Sequence, residues 1–182
     1  MSVAGGAAGG RRPRRRDHAV SEDARSIRAA QANDATEIAE LVRLAFSAQP
    51  RPTNPPSSAL KETATTIASH LVRGGGSVVV CGGAIVGVVL WNEEDGALYI
   101  SRLSVHPERR RRGTARALME EAEREARRLG FSRMTLGVRL ELEENRRFFR
   151  SVGFVDASFR SHEGFSEPTW VLMERRLTSD TR

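Results

Sequence analysis

The sequence predicts an α/β domain of the α+β kind, a mixed sheet carrying helices on both faces. Three observations carry that expectation. Apolar residues alternate between strand and helix spacing in the order β-α-α-β-β-β-α-β-α-β-β. Two turn signals, Gly82-Gly83 and Glu93-Glu94-Asp95-Gly96, separate strand-like runs, so part of the sheet is antiparallel. The run Leu103 to Ala115 leaves a strand, crosses a basic turn and enters a long amphipathic helix, so another part is joined by a crossover.

Ser26–Ala30 reads as a short first strand. Asp34-Ala35-Thr36-Glu37 has the spacing of a capping box, and Ile38, Leu41, Val42, Ala45 and Phe46 follow on one helical face, giving a helix over about 34–48. Pro50, Pro52, Pro55 and Pro56 end it. Ser57 or Ser58 is placed to cap a second helix through Leu71, before Gly74-Gly75-Gly76. Strands follow at Ser77–Cys81, Ile85–Trp91 and Ala97–Val105.

The third helix has Ala115, Leu118, Met119, Ala122, Ala126 and Leu129 on one face, and Gly130 closes it. Its wet side carries the pairs Glu120/Arg124 and Glu123/Arg127. Met134–Val138 is a strand, and a last helix spans about Glu143–Val152. Phe154–Phe159 and Thr169–Leu177 are closing strands, joined by a loop with His162 and Gly164.

The 182 residues suit one domain. Residues 1–25 are Gly/Ala-rich, then Arg-rich, with almost no large apolar side chain, so they are expected to be a disordered tail, and 26–182 the domain. That tail holds six arginines against three acids, half of the net charge of +6. A solvated arm is favoured over a nucleic-acid or membrane contact through Arg11 to Arg16. No apolar run reaches the ~18 residues of a membrane span, and the N-terminus lacks a signal-peptide core. Cys81 is alone, which excludes an intrachain disulfide and fits a reducing cytoplasm. One cysteine and four scattered histidines offer no metal-ligand spacing, so no metal is expected.

The most informative stretch is Leu103-Ser104-Val105-His106-Pro107-Glu108-Arg109-Arg110-Arg111-Arg112-Gly113-Thr114-Ala115. The first N–H groups of a helix lack internal partners, and the helix dipole makes that end electropositive. A basic turn feeding such an end is an anion cradle. Gly113 removes a side chain where a phosphate would approach the backbone.

Val105, Pro107, Arg110, Gly113 and Ala115 resemble the Val-x-Pro-x-x-Arg-x-x-Gly-x-Ala motif of the GNAT superfamily of N-acetyltransferases. The start of the domain (Ile27–Ala30, then Asp34 and Ala35), the run Asn145–Phe154 and the segment Gly164–Met173 resemble that family too, so the likeness covers about 26–177. It implies a three-layer fold whose central fourth and fifth strands splay apart, with a bulged fourth strand. It also implies acetyl-CoA as acyl donor, with direct transfer to an amine within a ternary complex.

The resemblance places the pantetheine arm and acetyl carbonyl on the backbone of Leu103, Ser104 and Val105, and the pyrophosphate on N–H groups from Arg110 through Arg111, Arg112, Gly113 and Thr114 to Ala115. Arg109, Arg111 and Arg112 are within reach of the nucleotide phosphates. Arg111 departs from the family, where many members carry glycine. The Thr114 hydroxyl serves either a phosphate or the helix cap. Asn145 corresponds to the family asparagine that meets the pantetheine amide, against the alternative of a helix cap. Phe148 lies beside it. Phe149 stands where many members carry tyrosine, the acid for the departing thiolate; phenylalanine donates no proton, which leaves a packing role.

No base is evident. Tyr99, four residues before Leu103, and His162, in the loop bordering the acceptor site, are the two candidate catalytic residues. A phenol near pKa 10 is a poor base, whereas an imidazole accepts a proton near neutrality. The acceptor is expected to be an amine on a small molecule or a peptide, and homodimers are common for such folds. The competing reading is a non-catalytic acyl-CoA-binding regulatory domain, motivated by Phe149 and the missing base.

Overall fold

A computed structural model describes residues 25–178. The expected tail falls on residues that lie outside that range, apart from Arg25, which already belongs to the first strand. The elements are β1 (Arg25–Ala29), α1 (Ala35–Ser47), α2 (Ala64–Arg73), β2 (Gly75–Cys81), β3 (Ala84–Glu94), β4 (Ala97–Val105), α3 (Thr114–Arg128), β5 (Arg133–Arg139), α4 (Glu143–Ser151), β6 (Val155–Arg160) and β7 (Trp170–Arg176). Their order is the one expected.

All seven strands form one sheet in the order β1-β2-β3-β4-β5-β7-β6. Every pairing is antiparallel except β4 with β5. This is a mixed α+β sheet. Asp95 and Gly96 turn with φ of 50° and 69°, and Gly82 and Gly83 with 58° and 84°. Those left-handed pairs match the twist of a two-residue hairpin. The Asp95-Gly96 turn is tighter than the sequence suggests, so β3 continues to Glu94 rather than ending at Trp91.

Alternation along the strands fills both faces. One layer joins Leu98, Ile100, Met134, Leu136 and Val138 to Leu118, Met119 and Ala122 of α3, with Phe148 and Phe149 of α4 packed against it. The opposite layer joins Val78, Ile85, Val88 and Leu90 to Ile38, Leu41 and Val42 of α1 and Ile67 of α2. Burial of each large aliphatic side chain stabilises by roughly 1.5–3 kcal/mol. Gly87 sets the approach of α3, because a Cβ there would lie 2.9 Å from Thr114 Cγ2 and 3.1 Å from Leu118 Cδ1.

Three local details differ from the sequence reading. Asp34 does not cap α1. Its carboxylate takes two bonds from Arg28, at 2.6 and 2.8 Å, and one from the Gln31 N–H. Glu37 instead accepts from the Ile85 N–H at 2.6 Å, tying α1 to β3. A charged donor pair outcompetes a helix N–H for the same oxygens. The second helical stretch divides in two: Ser57 caps a 3-10 turn over Ser58–Lys61, and Thr63 caps α2. On α3, Arg124 pairs with Glu121 rather than Glu120, while Arg127 does pair with Glu123.

Candidate functional site

The parallel ladder between β4 and β5 is short. Leu98, Tyr99 and Ile100 face Met134, Thr135 and Leu136, and beyond those rungs the strands share no pairing. Ser101–Val105 and Gly137–Arg139 therefore form the two arms of a V. β4 also carries a bulge. Val88 faces Ser104 while Leu90 faces Ser101, so Arg102 and Leu103 together oppose Val89. Arg102 takes φ 51°. A non-glycine residue in that left-handed region costs about 1–3 kcal/mol and persists where its surroundings hold it.

A cavity of about 530 Å³ opens from this arm of β4. That size lies within the usual range of small-molecule sites. Leu103, Ser104 and Val105 line one wall, and Arg110, Arg111, Gly113, Thr114 and Ala115 line its end. Asn145, Phe148 and Phe149 close the α4 side. The cavity thus gathers the residues expected to hold a nucleotide-linked acyl group, except Arg112. Ser104 Oγ is buried without a partner at this wall. An orphaned buried hydroxyl costs about 1–3 kcal/mol, and a bound polar arm along β4 would relieve it.

The turn works through its backbone. Gly113 has φ 77° and is the N-cap residue of α3, and a Cβ there would meet nothing within 4 Å. The N–H groups of the first turn of α3 face an open, basic space. Arg111, the departure from the family's glycine, has φ 60°. Arg110 points away from the turn. Its guanidinium donates to the carbonyls of Ala45 at 2.9 Å and Ala48 at 3.2 Å, at the end of α1. Arg112 lies behind the turn, and its carbonyl accepts from Arg25 at 2.6 Å. Thr114 is the first helical residue; its buried hydroxyl accepts from Arg25 at 3.4 Å. It is not the N-cap, and while accepting from Arg25 it keeps its own O–H to donate toward the cavity.

Asn145 occupies the third position of α4, where Leu142 is the N-cap, so the capping alternative does not apply. Its amide is exposed to the cavity. Phe149 packs edge-on against Phe148 and Phe154, with centroids at 5.2 and 6.0 Å. That geometry is a preferred aromatic arrangement; the packing expected of Phe149 is against the pantetheine, and its ring borders the cavity.

Tyr99 sits on the middle rung of the short ladder, at the foot of the V. Burial, helped by Glu94, pushes its phenol above the ordinary value. It stays protonated near neutrality and cannot serve as a base. His162 lies beside Arg139, the last residue of β5. Burial first, then Arg139, pushes its imidazole below the ordinary value, with Glu141 opposing. Both influences favour the neutral ring. Arg139 only donates, so the facing Nε2, at 2.8 Å, accepts, and Nδ1 donates to Thr169 Oγ1 at 2.5 Å. Neither Tyr99 nor His162 lines the cavity.

The structure adds residues that carry no motif signal. Ala45, Phe46, Gln49 and Pro50, at the end of α1, form the wall facing the turn, and Arg116 and Glu144 complete the rim. The prolines read as helix breakers, in a loop that the resemblance places, with the His162 loop, around the acceptor. Arg139 Nη2 donates to the Pro55 carbonyl at 2.5 Å, and Glu141 accepts from the Asn54 N–H at 3.1 Å, so the α1–α2 loop is fastened to the arm of β5. Among the described residues no group of three His, Cys, Asp or Glu side chains could hold a metal ion, and no helix is long and apolar enough to cross a membrane.

A mixed seven-stranded sheet opened at its one parallel pair, beside a helix that starts at a basic glycine turn, defines an acyl-CoA-type acetyltransferase fold. The profile of the Acetyltransferase (GNAT) family matches residues 36–154, and the chain belongs to that family. Solved structures agree over nearly the whole domain. The ribosomal-protein-S18-alanine N-acetyltransferase from Escherichia coli superposes with a TM-score of 0.69 at 18% identity, covering 87% of this chain and 99% of that one. The PaiA N-acetyltransferase from Thermoplasma acidophilum, in complex with coenzyme A, gives 0.69 at 17% identity, over 85% and 99%. YncA from Salmonella typhimurium, solved with acetyl-CoA, gives 0.64 at 21% identity, over 88% and 98%. Among curated protein sequences none matches this chain significantly.

Proposed function

We propose that this protein is an N-acetyltransferase that moves an acetyl group from acetyl-CoA directly to an amine bound beside it. One observation carries the reading. The cavity runs from the α3 N-terminus to the bulged arm of β4, whose β5 side is unpaired. It joins an anion cradle to free backbone donors, as a phosphate-bearing thioester requires. The coenzyme A complex of the Thermoplasma relative supports the choice of donor.

When bound, acetyl-CoA supplies an activated carbonyl; the amine nitrogen bonds to it as the carbon–sulfur bond breaks. The chain's own part is positioning and charge stabilisation. N–H groups of Gly113 to Ala115 hold the pyrophosphate, and Asn145 meets the pantetheine amide. The backbone of Leu103 to Val105 holds the thioester, with an N–H directed at the oxygen where negative charge develops. Phe148 and Phe149 exclude water. The thiolate leaves without a tyrosine acid; near pH 8 it is a tolerable leaving group.

The acceptor enters from the side of the α1–α2 loop, Arg139 and His162. His162 is neutral there, and it takes the amine's proton once Arg139 releases Nε2. Tyr99 stands at the foot of the V, outside the cavity lining, and takes no part in the proton transfer. The acceptor is an amine on a small molecule or a peptide. The lone Cys81 fits work in the cytoplasm, as a monomer or a homodimer.

The test is thiol release from acetyl-CoA across a panel of amines, alongside coenzyme A binding by calorimetry. Turnover with any amine sustains the proposal. Tight binding with no turnover across the panel favours the non-catalytic acyl-CoA-binding regulatory domain.

A further inference from the structure

The bulge of β4 has a feature that its role as a ligand-holding backbone does not require. The residue in the left-handed position is Arg102, at φ 51°. Glycine is the residue that such a bulge takes without cost. The arginine is held from outside the strand. Its Nε donates to Glu62 Oε1 at 2.5 Å, and its Nη2 to Ser58 Oγ at 3.1 Å. Glu62 is 4% exposed, and Arg102's side chain 20%.

Glu62 is itself fixed on several sides. Its second carboxylate oxygen accepts from Thr66 Oγ1 on α2. Its carbonyl accepts from Arg43 of α1 at 2.5 Å. The Ser58–Thr66 segment therefore grips α1, α2 and the bulge together. This segment also continues the loop that Arg139 and Glu141 fasten to the arm of β5. A buried ion pair is a poor source of net stability, but it fixes geometry, since breaking it leaves a buried charge unpaired.

We infer that Arg102 and Glu62 are positioning residues: their buried ion pair holds the β4 bulge in its left-handed conformation and so directs the freed backbone N–H at the thioester oxygen. The pair also makes the acceptor-side segment and the acetyl-holding backbone one rigid unit. This inference rests on the reading above that the bulge faces a bound thioester. The pyrophosphate cradle at Gly113 is on a different segment and does not depend on the pair.

The experiment uses [1-13C-acetyl]-CoA and isotope-edited infrared spectroscopy of the bound carbonyl, with calorimetric binding and acetyl transfer measured on the same samples. Arg102→Ala removes the pair and keeps a side chain that disfavours the left-handed backbone. Glu62→Gln keeps the volume and removes the charge. The wild-type protein is expected to shift the carbonyl to lower frequency than in water. Both variants are expected to lose most of that shift and about tenfold in kcat, with Kd and KM for acetyl-CoA within about threefold. Arg102→Lys, which retains the charge opposite Glu62, should recover part of both. A wild-type shift that survives in Arg102→Ala overturns the inference and leaves the proposed function standing. A loss of acetyl-CoA binding in step with melting temperature also overturns it, because the pair would then serve only the fold. No acetyl-CoA binding and no shift in the wild-type protein would overturn the function reading itself, and this inference with it.

Discussion

Arg110 reaches across the candidate cleft and donates to the carbonyl of Ala45, 2.9 Å away, at the last turn of α1. The motif arginine of the basic turn is thus a brace between two walls of the cavity. It also places a cation at a helix C-terminus, where it is stabilising. Arg110→Ala is expected to cost about 1–2 kcal/mol of stability, as charge-assisted hydrogen bonds do, and to weaken coenzyme A binding by loosening the turn. Arg110→Gln, which keeps part of the reach, should lose less of both. Denaturant melts and calorimetry check this pair.

The glycine turn separates conformation from charge. Gly113→Ala is expected to lose about 1 kcal/mol, since φ 77° disfavours any L side chain while the space around it is open. Gly113→Glu adds a carboxylate where phosphates approach, and should abolish coenzyme A binding at a similar cost to folding. Equal binding in the two variants would displace the phosphate site from this turn.

Arg111→Gly makes the reverse change. Arg111 holds φ 60°, so glycine is expected to raise stability by up to about 1 kcal/mol. Its effect on coenzyme A affinity then reports only the loss of one positive charge, as an increased dependence of binding on the remaining arginines. A fall in melting temperature would contradict the left-handed backbone at this position.

Asn145→Ala should weaken acetyl-CoA binding about five- to tenfold, the worth of one hydrogen bond to a ligand, with little change in melting temperature, because Asn145 is exposed and Leu142 is the cap of α4. A large loss of stability would return Asn145 to a structural role.

Stability should fall on mild acidification. His70 and His162 are both held below their ordinary value, His70 chiefly by burial and His162 by burial and then Arg139. A histidine depressed in the folded state binds fewer protons there than when unfolded, so stability rises with pH through this window. Melting temperature is expected to be flat above about pH 7, where both states are neutral, and to drop from about pH 6.5 toward pH 5. The double variant His70→Asn with His162→Asn should flatten that slope. An unchanged slope would locate the acid sensitivity in other groups.

The element order was legible because each strand and helix carries its own period, and the hairpins carry their own glycines. The basic glycine turn that borders the cavity was legible because it is one continuous run, Arg110 to Ala115. The acceptor side was not. Arg102, Glu62, Arg139 and Pro55 come from four separated segments, and their meeting depends on the β4 bulge and on where the α1–α2 loop folds back. Asp34 misled for a related reason: capping spacing is local, while its partner Arg28 arrives from a preceding strand. Phe149 shows the converse, since its chemistry was readable from one letter while its packing on Phe154 needed the fold.

Three rungs, Leu98 to Ile100 against Met134 to Leu136, join the two parts of the sheet. The molecule opens there like a book with a very short spine. Residues in that spine govern the angle between the leaves without touching anything lodged between them. Thr135, paired with Tyr99 on the middle rung, is such a place. A change of volume at Thr135 is expected to alter the angle between the leaves, so a residue that lines no part of the cavity is expected to change the affinity for a ligand held there.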